Sequence, residues 1–146
     1  MTTTAEVPGA AGTRALLLPV GADRYAVGLA AVREVRAVEG ITRVPGAAAV
    51  VLGLVNVRGR VVAVLDTAAL LGVGVGVVGA PAAIAVVGVA RGLAGLSLSA
   101  FPVAQTLGDD LGPAELEPAT RRHRIHDGVV SLLDLDALLD PARLAA

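Results

Sequence analysis

Two carboxylates occupy matching positions in two similar segments of the chain. Asp66 lies in VVAVLDTAALLG and Asp134 in VVSLLDLDALLD. Paired carboxylates can serve general acid–base catalysis. Each of these aspartates, however, directly precedes a short helical pattern, where its side chain can accept hydrogen bonds from the free N–H groups of the first turn. The sequence therefore favours two helix caps over a catalytic pair.

Two histidines, His123 and His126, lie three residues apart in an arginine-rich segment, RRHRIH. On a strand, residues with this spacing point to opposite faces, so the two side chains cannot share a metal ion. The neighbouring arginine charges also disfavour a bound cation. A solvated basic segment is the expected interpretation.

Residues 74–79 match the glycine pattern G-x-G-x-x-G. A dinucleotide site needs a strand before this pattern, a helix after it and an acidic residue about twenty positions further on. Here a short helical pattern precedes it, Pro81 follows it, and no acidic residue occurs between Asp66 and Asp109. The segment is therefore predicted to be a linker, residues 73–81.

The charged pair Glu34 and Arg58 is the remaining candidate. Arg58 lies in a predicted tight turn with Gly59, and Glu34 lies in the polar patch REVR. Without further information both are exposed charges, and an exposed ion pair contributes only about 0–1 kcal/mol.

The composition excludes several classes of function. The chain has 146 residues, no cysteine and twelve basic residues, all of them arginine. Lysine-dependent chemistry, including Schiff bases and P-loop nucleotide binding, is thereby excluded, as are disulfides and thiol catalysis. The net charge of −1 and the two aromatic residues, Tyr25 and Phe101, argue against nucleic acid as a partner. No cofactor or metal site is predicted.

Short aliphatic runs separated by turn residues predict a mostly β protein. The predicted strands and turns include a hairpin over 15–29, strands over 51–57 and 61–65, strands over 84–89 and 93–100, and a closing hairpin over 121–133. Residues 109–118 are predicted to be a loop. Residues 1–14 are small and polar, without the features of a signal peptide, and are expected to form a flexible tail of a cytoplasmic protein.

An internal repeat relates the two halves of the chain. A shift of 68 residues aligns VVAVLDTAALLG with VVSLLDLDALLD at seven of twelve positions, and also places residues 15–20 over 83–88. Two copies of one small β-unit are therefore predicted, at about 15–72 and 82–140. Chance similarity in a chain rich in Val, Ala and Leu is the alternative.

One uncharged stretch, residues 67–90, is long enough to span a bilayer. Five glycines and a central proline interrupt it, and no aromatic residues flank it. A connection between two buried elements accounts for the same residues, so the chain is not expected to be an integral membrane protein.

Four motifs follow one another along the first half of the chain: the hairpin LLLPVGADRYAVGL, then VREV at 32–35, TRVP at 42–45, and GLVNVRGRVVAVLD at 53–66. Together they resemble the chemotaxis coupling proteins of the CheW family. The Asn-x-Arg-Gly turn between two aliphatic strands is the most specific of them. The resemblance extends over about residues 15–139.

This resemblance implies an all-β fold of two SH3-like five-stranded barrels with short helices and a third hydrophobic core between them. It also implies a non-enzymatic adaptor that joins the regulatory domain of a CheA-like histidine kinase to the cytoplasmic tips of methyl-accepting chemoreceptors. In that family a glutamate and an arginine matching Glu34 and Arg58 pair near the partner-binding surface. The partner-binding residues implied here are Glu34, Arg58, Val32, Val35, Val55, Asn56 and Gly59.

The sequence departs from the family pattern at several positions. Ala63 replaces a usual proline, Val57 a usual leucine, and GLSLSAF at 95–101 lacks a usual aspartate. In the family the second barrel supplies kinase contacts, and the last of these departures lies in that barrel. The competing hypothesis is a small β-barrel ligand-binding domain or enzyme subunit.

Overall fold

The computed structural model describes residues 11–73, 81–115 and 118–144, and their secondary structure is mostly β. The strands are β1 Arg14–Val20, β2 Asp23–Gly28, β3 Val32–Ala37, β4 Val51–Val57, β5 Arg60–Leu65, β6 Ala83–Val89, β7 Gly92–Leu98, β8 Val103–Thr106, β9 Asp110–Pro113, β10 Ala119–Ile125 and β11 Gly128–Leu133. The helices are α1 Thr67–Leu71, α2 Leu135–Leu138 and α3 Pro141–Leu144, with a 3-10 turn at Leu29–Ala31.

The predicted hairpins are confirmed, and two short strands were not predicted. β1 pairs with β2, β4 with β5, β6 with β7 and β10 with β11, all antiparallel. The loop prediction for 109–118 was wrong at β9, which pairs with β10, and β8 pairs with β1. Both are four-residue strands at the edges of a sheet, where polar residues and proline are tolerated and the apolar alternation is weak.

The strands form two sheets, and each sheet contains hairpins from both halves of the chain. The six-stranded sheet has the order β8-β1-β2-β11-β10-β9, and the five-stranded sheet the order β3-β6-β7-β5-β4. The strand pairing therefore groups the strands differently from the predicted barrel units 15–72 and 82–140. The reason is that two parallel pairings connect the units. β2 pairs with β11, so the β1–β2 hairpin joins β10 and β11, and β7 pairs with β5, so the β6–β7 hairpin joins β4 and β5.

Three hydrophobic clusters fill the interior. The six-stranded sheet packs around one cluster that includes Leu17, Ile125 and Val130. The five-stranded sheet packs around another that includes Val64 and Val86. A third and larger cluster contains residues from both sheets and from helices α1 and α2. This arrangement has the two SH3-like subdomains and the shared core that the resemblance implies.

The shared core explains why β1 and β6 are apolar on both faces. On β1, Leu16 and Leu18 belong to the shared cluster, whereas Leu17 belongs to the cluster of its own sheet. On β6, Ala85 belongs to the shared cluster and Val86 to the cluster of the five-stranded sheet. Because successive side chains of a strand alternate between faces, both strands lie between two cores and lack a polar face.

The repeat is present in the structure, but its two parts have different offsets. The pair Val55–Val62 of β4–β5 matches His123–Val130 of β10–β11, which is the predicted shift of 68. The hairpin β1–β2 matches β6–β7 at a shift of 69, since Leu17 pairs with Ala26 as Val86 pairs with Gly95. The predicted alignment of 15–20 with 83–88 was therefore wrong by one residue. A slip of one residue exchanges the two faces of a strand.

Both predicted helix caps are confirmed. The Asp66 carboxylate accepts a hydrogen bond of 3.2 Å from the N–H of Ala69, and Asp134 accepts one of the same length from Ala137. Helix α1 ends at Gly72, whose φ of 71° lies in the left-handed region that favours glycine. The two aspartates thus stabilise helices that pack against the shared core.

Some predictions fall on residues outside the described ranges. The G-x-G-x-x-G segment, most of the predicted linker 73–81 and most of the predicted tail 1–14 lie there. Among the helices that the structure describes, none is both long enough and apolar enough to span a bilayer.

We expect Asp66→Ala to lower the free energy of unfolding by about 0.5–2 kcal/mol, because the N–H of Ala69 loses its acceptor. Urea denaturation of the purified protein measures this difference. Asp109→Ala is the matched control, since the exposed Asp109 takes part in the fold through its backbone oxygen. Equal stability of the two variants would argue against the capping role.

We also expect the fragments 1–72 and 73–146 to be unfolded when separate and to assemble when mixed. Each sheet combines strands from both fragments, so neither fragment contains all the strands of either sheet. Circular dichroism and the dispersion of amide signals in NMR spectra report the outcome. Cooperative thermal unfolding of either fragment alone would contradict the exchange of hairpins.

Candidate functional site

The turn between β4 and β5 presents Arg58 at the end of the five-stranded sheet. Arg58 and Gly59 both have positive φ, 52° and 83°, as the two central residues of a type I′ hairpin turn do. The side chain of Asn56 supports the turn, because its Oδ1 accepts a 2.8 Å hydrogen bond from the N–H of Gly59. Asn56, Arg58 and Gly59 of the predicted site therefore form one local structure.

Arg58 pairs with Glu34 across the gap between two strands. Its Nε donates a 2.9 Å hydrogen bond to Oε1 of Glu34 on β3. The Glu34 side chain is 22% exposed, whereas that of Arg58 is 85% exposed. The carboxylate is thus held near the protein surface, while most of the arginine lies in solvent.

A second arginine extends this pair into a network. Nη1 of Arg36 lies 3.8 Å from Oε2 of Glu34 and donates a 3.1 Å hydrogen bond to the backbone oxygen of Asn56. β3 and β4 are the two edge strands of the five-stranded sheet. Glu34, Arg36, Asn56 and Arg58, called the clasp below, therefore connect the two edges of the sheet with side chains.

The structure places the three predicted valines in two different settings. Val32 and Val35 on β3 are half-buried and pack against the shared core. Val55 is only 6% exposed and lies in the cluster enclosed by the five-stranded sheet. The prediction that Val55 lines a partner surface is therefore wrong, because strand alternation turns its side chain inward while Asn56 points outward.

One exposed apolar residue near the turn was not predicted. Val61 is 70% exposed and stands opposite Asn56 in the β4–β5 hairpin. The prediction of a strand over 61–65 did not specify which of its side chains face outward. The cross-strand partner of Val61, Asn56, could have indicated the outer face, because directly paired residues of an antiparallel hairpin lie on the same side of the sheet.

A cleft opens beside the clasp at the same end of the five-stranded sheet. It is lined by Arg33, Glu34, Val57, Arg58, Arg60, Val86 and Leu93. Arg33 and Arg60 are exposed, whereas Val57 and Val86 are buried. The cleft thus has charged walls and an apolar floor.

The corresponding turn of the six-stranded sheet has different chemistry. There Arg24 of β2 donates a 2.9 Å hydrogen bond to Asp127, which lowers the pKa of that carboxyl group. Arg121 likewise bonds Asp110 and lowers its pKa. Two arginines of the six-stranded sheet thus each pair with an aspartate, whereas the two arginines of the clasp share one glutamate.

The histidine prediction was wrong in part. His126 is exposed, but His123 is fully buried on β10 at the position equivalent to Val55. Its Nδ1 lies 3.1 Å from the backbone oxygen of Gly108. In the ranges 11–73, 81–115 and 118–144, no three His, Asp or Glu side chains form a group that could hold a metal ion.

A family model described as the CheW-like domain matches residues 14–143, which is most of the chain. The chain belongs to the CheW-like domain family. The scaffolding protein TtCheW from Thermoanaerobacter tengcongensis has a similar structure, with a TM-score of 0.80 at 18% identity. The match covers 96% of this chain and 98% of the TtCheW chain, and at that identity it concerns the fold. No curated protein matches the sequence significantly.

We expect Arg58→Asn to leave the free energy of unfolding within about 1 kcal/mol of the wild type. The substitution removes an exposed ion pair that contributes little to the free energy of unfolding, and asparagine tolerates positive φ at the first position of a type I′ turn. Arg58→Val, which removes the same pair but strains the backbone, should cost about 1–2 kcal/mol. Urea denaturation compares the two variants. Equal losses would contradict the importance of the left-handed conformation at Arg58.

Proposed function

We propose that this protein is a cytoplasmic adaptor that couples the regulatory domain of a CheA-like histidine kinase to chemoreceptor cytoplasmic tips and catalyses no reaction itself. Membership of the CheW-like domain family supports this proposal. The description of TtCheW, which has the same fold, as a scaffolding protein also supports it. The clasp is the observation on this chain that carries the proposal.

The clasp has the properties of a preorganised contact site. The Arg58 guanidinium is anchored through Nε to Glu34, while the rest of the side chain is exposed and available to a partner. Arginine is enriched at the centre of protein interfaces, and a side chain that is already ordered loses less entropy on binding. The exposed Val61 adds an apolar contact close to this charge.

An adaptor needs a second surface that remains free when the first is occupied. Val103 is exposed on β8, an edge strand of the six-stranded sheet, and Phe101 is exposed in the connection just before it. Val129 is exposed in the β10–β11 hairpin. None of the three belongs to the five-stranded sheet that carries the clasp. Two partners can therefore bind the protein at once without competing for the same side chains.

We expect Arg58→Glu to weaken binding to the partner at this surface by about tenfold or more, because the charge at the contact is reversed. Titration calorimetry with a purified kinase regulatory domain and with a receptor cytoplasmic fragment measures the affinities. Arg124→Glu is the matched control, since Arg124 is an exposed arginine at the equivalent of Asn56 in the other sheet.

The exchange Glu34→Arg with Arg58→Glu separates two roles of Arg58. In this double variant, positions 34 and 58 again carry opposite charges. The side chain that faces the partner at position 58, however, is a glutamate and not an arginine. We expect thermal stability to rise above that of Arg58→Glu alone, although not fully to the wild-type value because Arg36 lies beside position 34, while binding remains weak. Binding of both partners that is indifferent to Arg58→Glu would remove the clasp from the proposed site.

A further inference from the structure

The cleft beside the clasp has an excess of positive charge. Arg33, Arg58 and Arg60 line it, and Glu34 is the one acidic residue among the residues that line it. The whole chain, by contrast, has a net charge of −1. The local surplus is therefore a property of this place in the fold and not of the composition.

Glu34 does not neutralise this surplus. Its Oε1 accepts from Arg58 at 2.9 Å, and its Oε2 faces Arg36 at 3.8 Å. Arg33 and Arg60 have no carboxylate within 4 Å among the residues that the structure describes. Both are consequently available to an acceptor supplied by another molecule.

Arg33 is held in place by its surroundings. Its Nη1 donates a 3.2 Å hydrogen bond to the backbone oxygen of Ala30. Its guanidinium lies against Gly88 of β6, where a Cβ atom would stand 2.6 Å from Nη2 and 2.8 Å from Cζ. The absence of a side chain at Gly88 thus allows the guanidinium to lie on the strand, next to the cleft.

The floor of the cleft limits what can enter it. Val57 and Val86 are buried, and Leu93 is half-buried. A carboxylate is the protein group that accepts two parallel hydrogen bonds from a guanidinium. An aspartate or glutamate side chain can direct its oxygens to the arginines while its methylene groups contact the apolar floor.

We propose that the cleft receives the carboxylate of an acidic segment of the partner protein that binds at the clasp, with Arg33 and Arg60 as its ligands. This inference rests on the proposed function and adds the chemistry of the partner to it. Nucleic acid fits less well, because it needs an extended basic surface and aromatic stacking platforms, and the residues lining the cleft include no aromatic side chain.

Charge reversal at the two free arginines tests this assignment. Arg60→Glu and Arg33→Glu should each weaken binding of the clasp-bound partner by about tenfold or more. Arg124→Glu, the same change of charge on the other sheet, should stay within about twofold of the wild type. Circular dichroism verifies that the variants are folded, and calorimetry with the kinase regulatory domain and the receptor fragment measures the affinities.

Two further variants connect the effect to geometry and to the partner. Gly88→Ala displaces the Arg33 guanidinium without changing any charge and leaves Arg60 unchanged. This variant should also bind the partner more weakly than the wild type. Acidic residues of the partner can also be replaced by arginine, one at a time. At one of these positions the altered partner should bind the Arg60→Glu variant more tightly than the unaltered partner does.

The outcomes distinguish this inference from the proposed function. If Arg33→Glu and Arg60→Glu bind like the wild type while Arg58→Glu does not, the cleft assignment is overturned and the adaptor function stands. If the wild-type protein binds neither partner, the proposed function fails. If single-stranded DNA binds more tightly than either partner and depends on Arg33 and Arg60, the cleft is a nucleic-acid site and the inference is wrong.

Discussion

The parallel contacts between β2 and β11 and between β7 and β5 are the interactions on which the rest of the structure depends. Through them each sheet is completed by a hairpin from the other half of the chain. The exchange places β1 and β6 between two cores, so that their side chains alternate between a sheet's own core and the shared one. Neither half of the chain can bury its apolar side chains without the other half. The two SH3-like subdomains therefore form a single structural unit.

The five-stranded sheet of this unit arranges four polar residues into a defined surface. The curvature of the five-stranded sheet brings its edges, β3 and β4, close enough for Glu34, Arg36, Asn56 and Arg58 to connect them. As an isolated exposed pair, Glu34 and Arg58 would contribute little to stability. Their value lies in orientation, because the pair fixes the direction of an arginine that is otherwise in solvent.

The repeat shows how the two halves diverged in chemistry while the backbone stayed similar. The β4–β5 and β10–β11 hairpins share their register, yet Val55 corresponds to the buried His123, and the exposed Arg58 lies where the other hairpin has His126. Arg24 and Arg121 pair with aspartates on the six-stranded sheet, whereas Arg33 and Arg60 border an open cleft on the five-stranded one. The arginines of the two sheets are therefore suited to different contacts.

The hairpins, the helix caps at Asp66 and Asp134, and the turn at Arg58 and Gly59 could be predicted from the amino-acid sequence alone. These features depend on turn residues and on alternation over a few positions, and such local signals are visible in a single chain. The folded chain was needed to show which sheet each hairpin joins, that Val55 is buried and Val61 exposed, and that Arg33 lies against Gly88. Those outcomes depend on the pairing and curvature of strands distant in sequence, and a one-residue offset in an aliphatic strand leaves its composition unchanged while exchanging its faces.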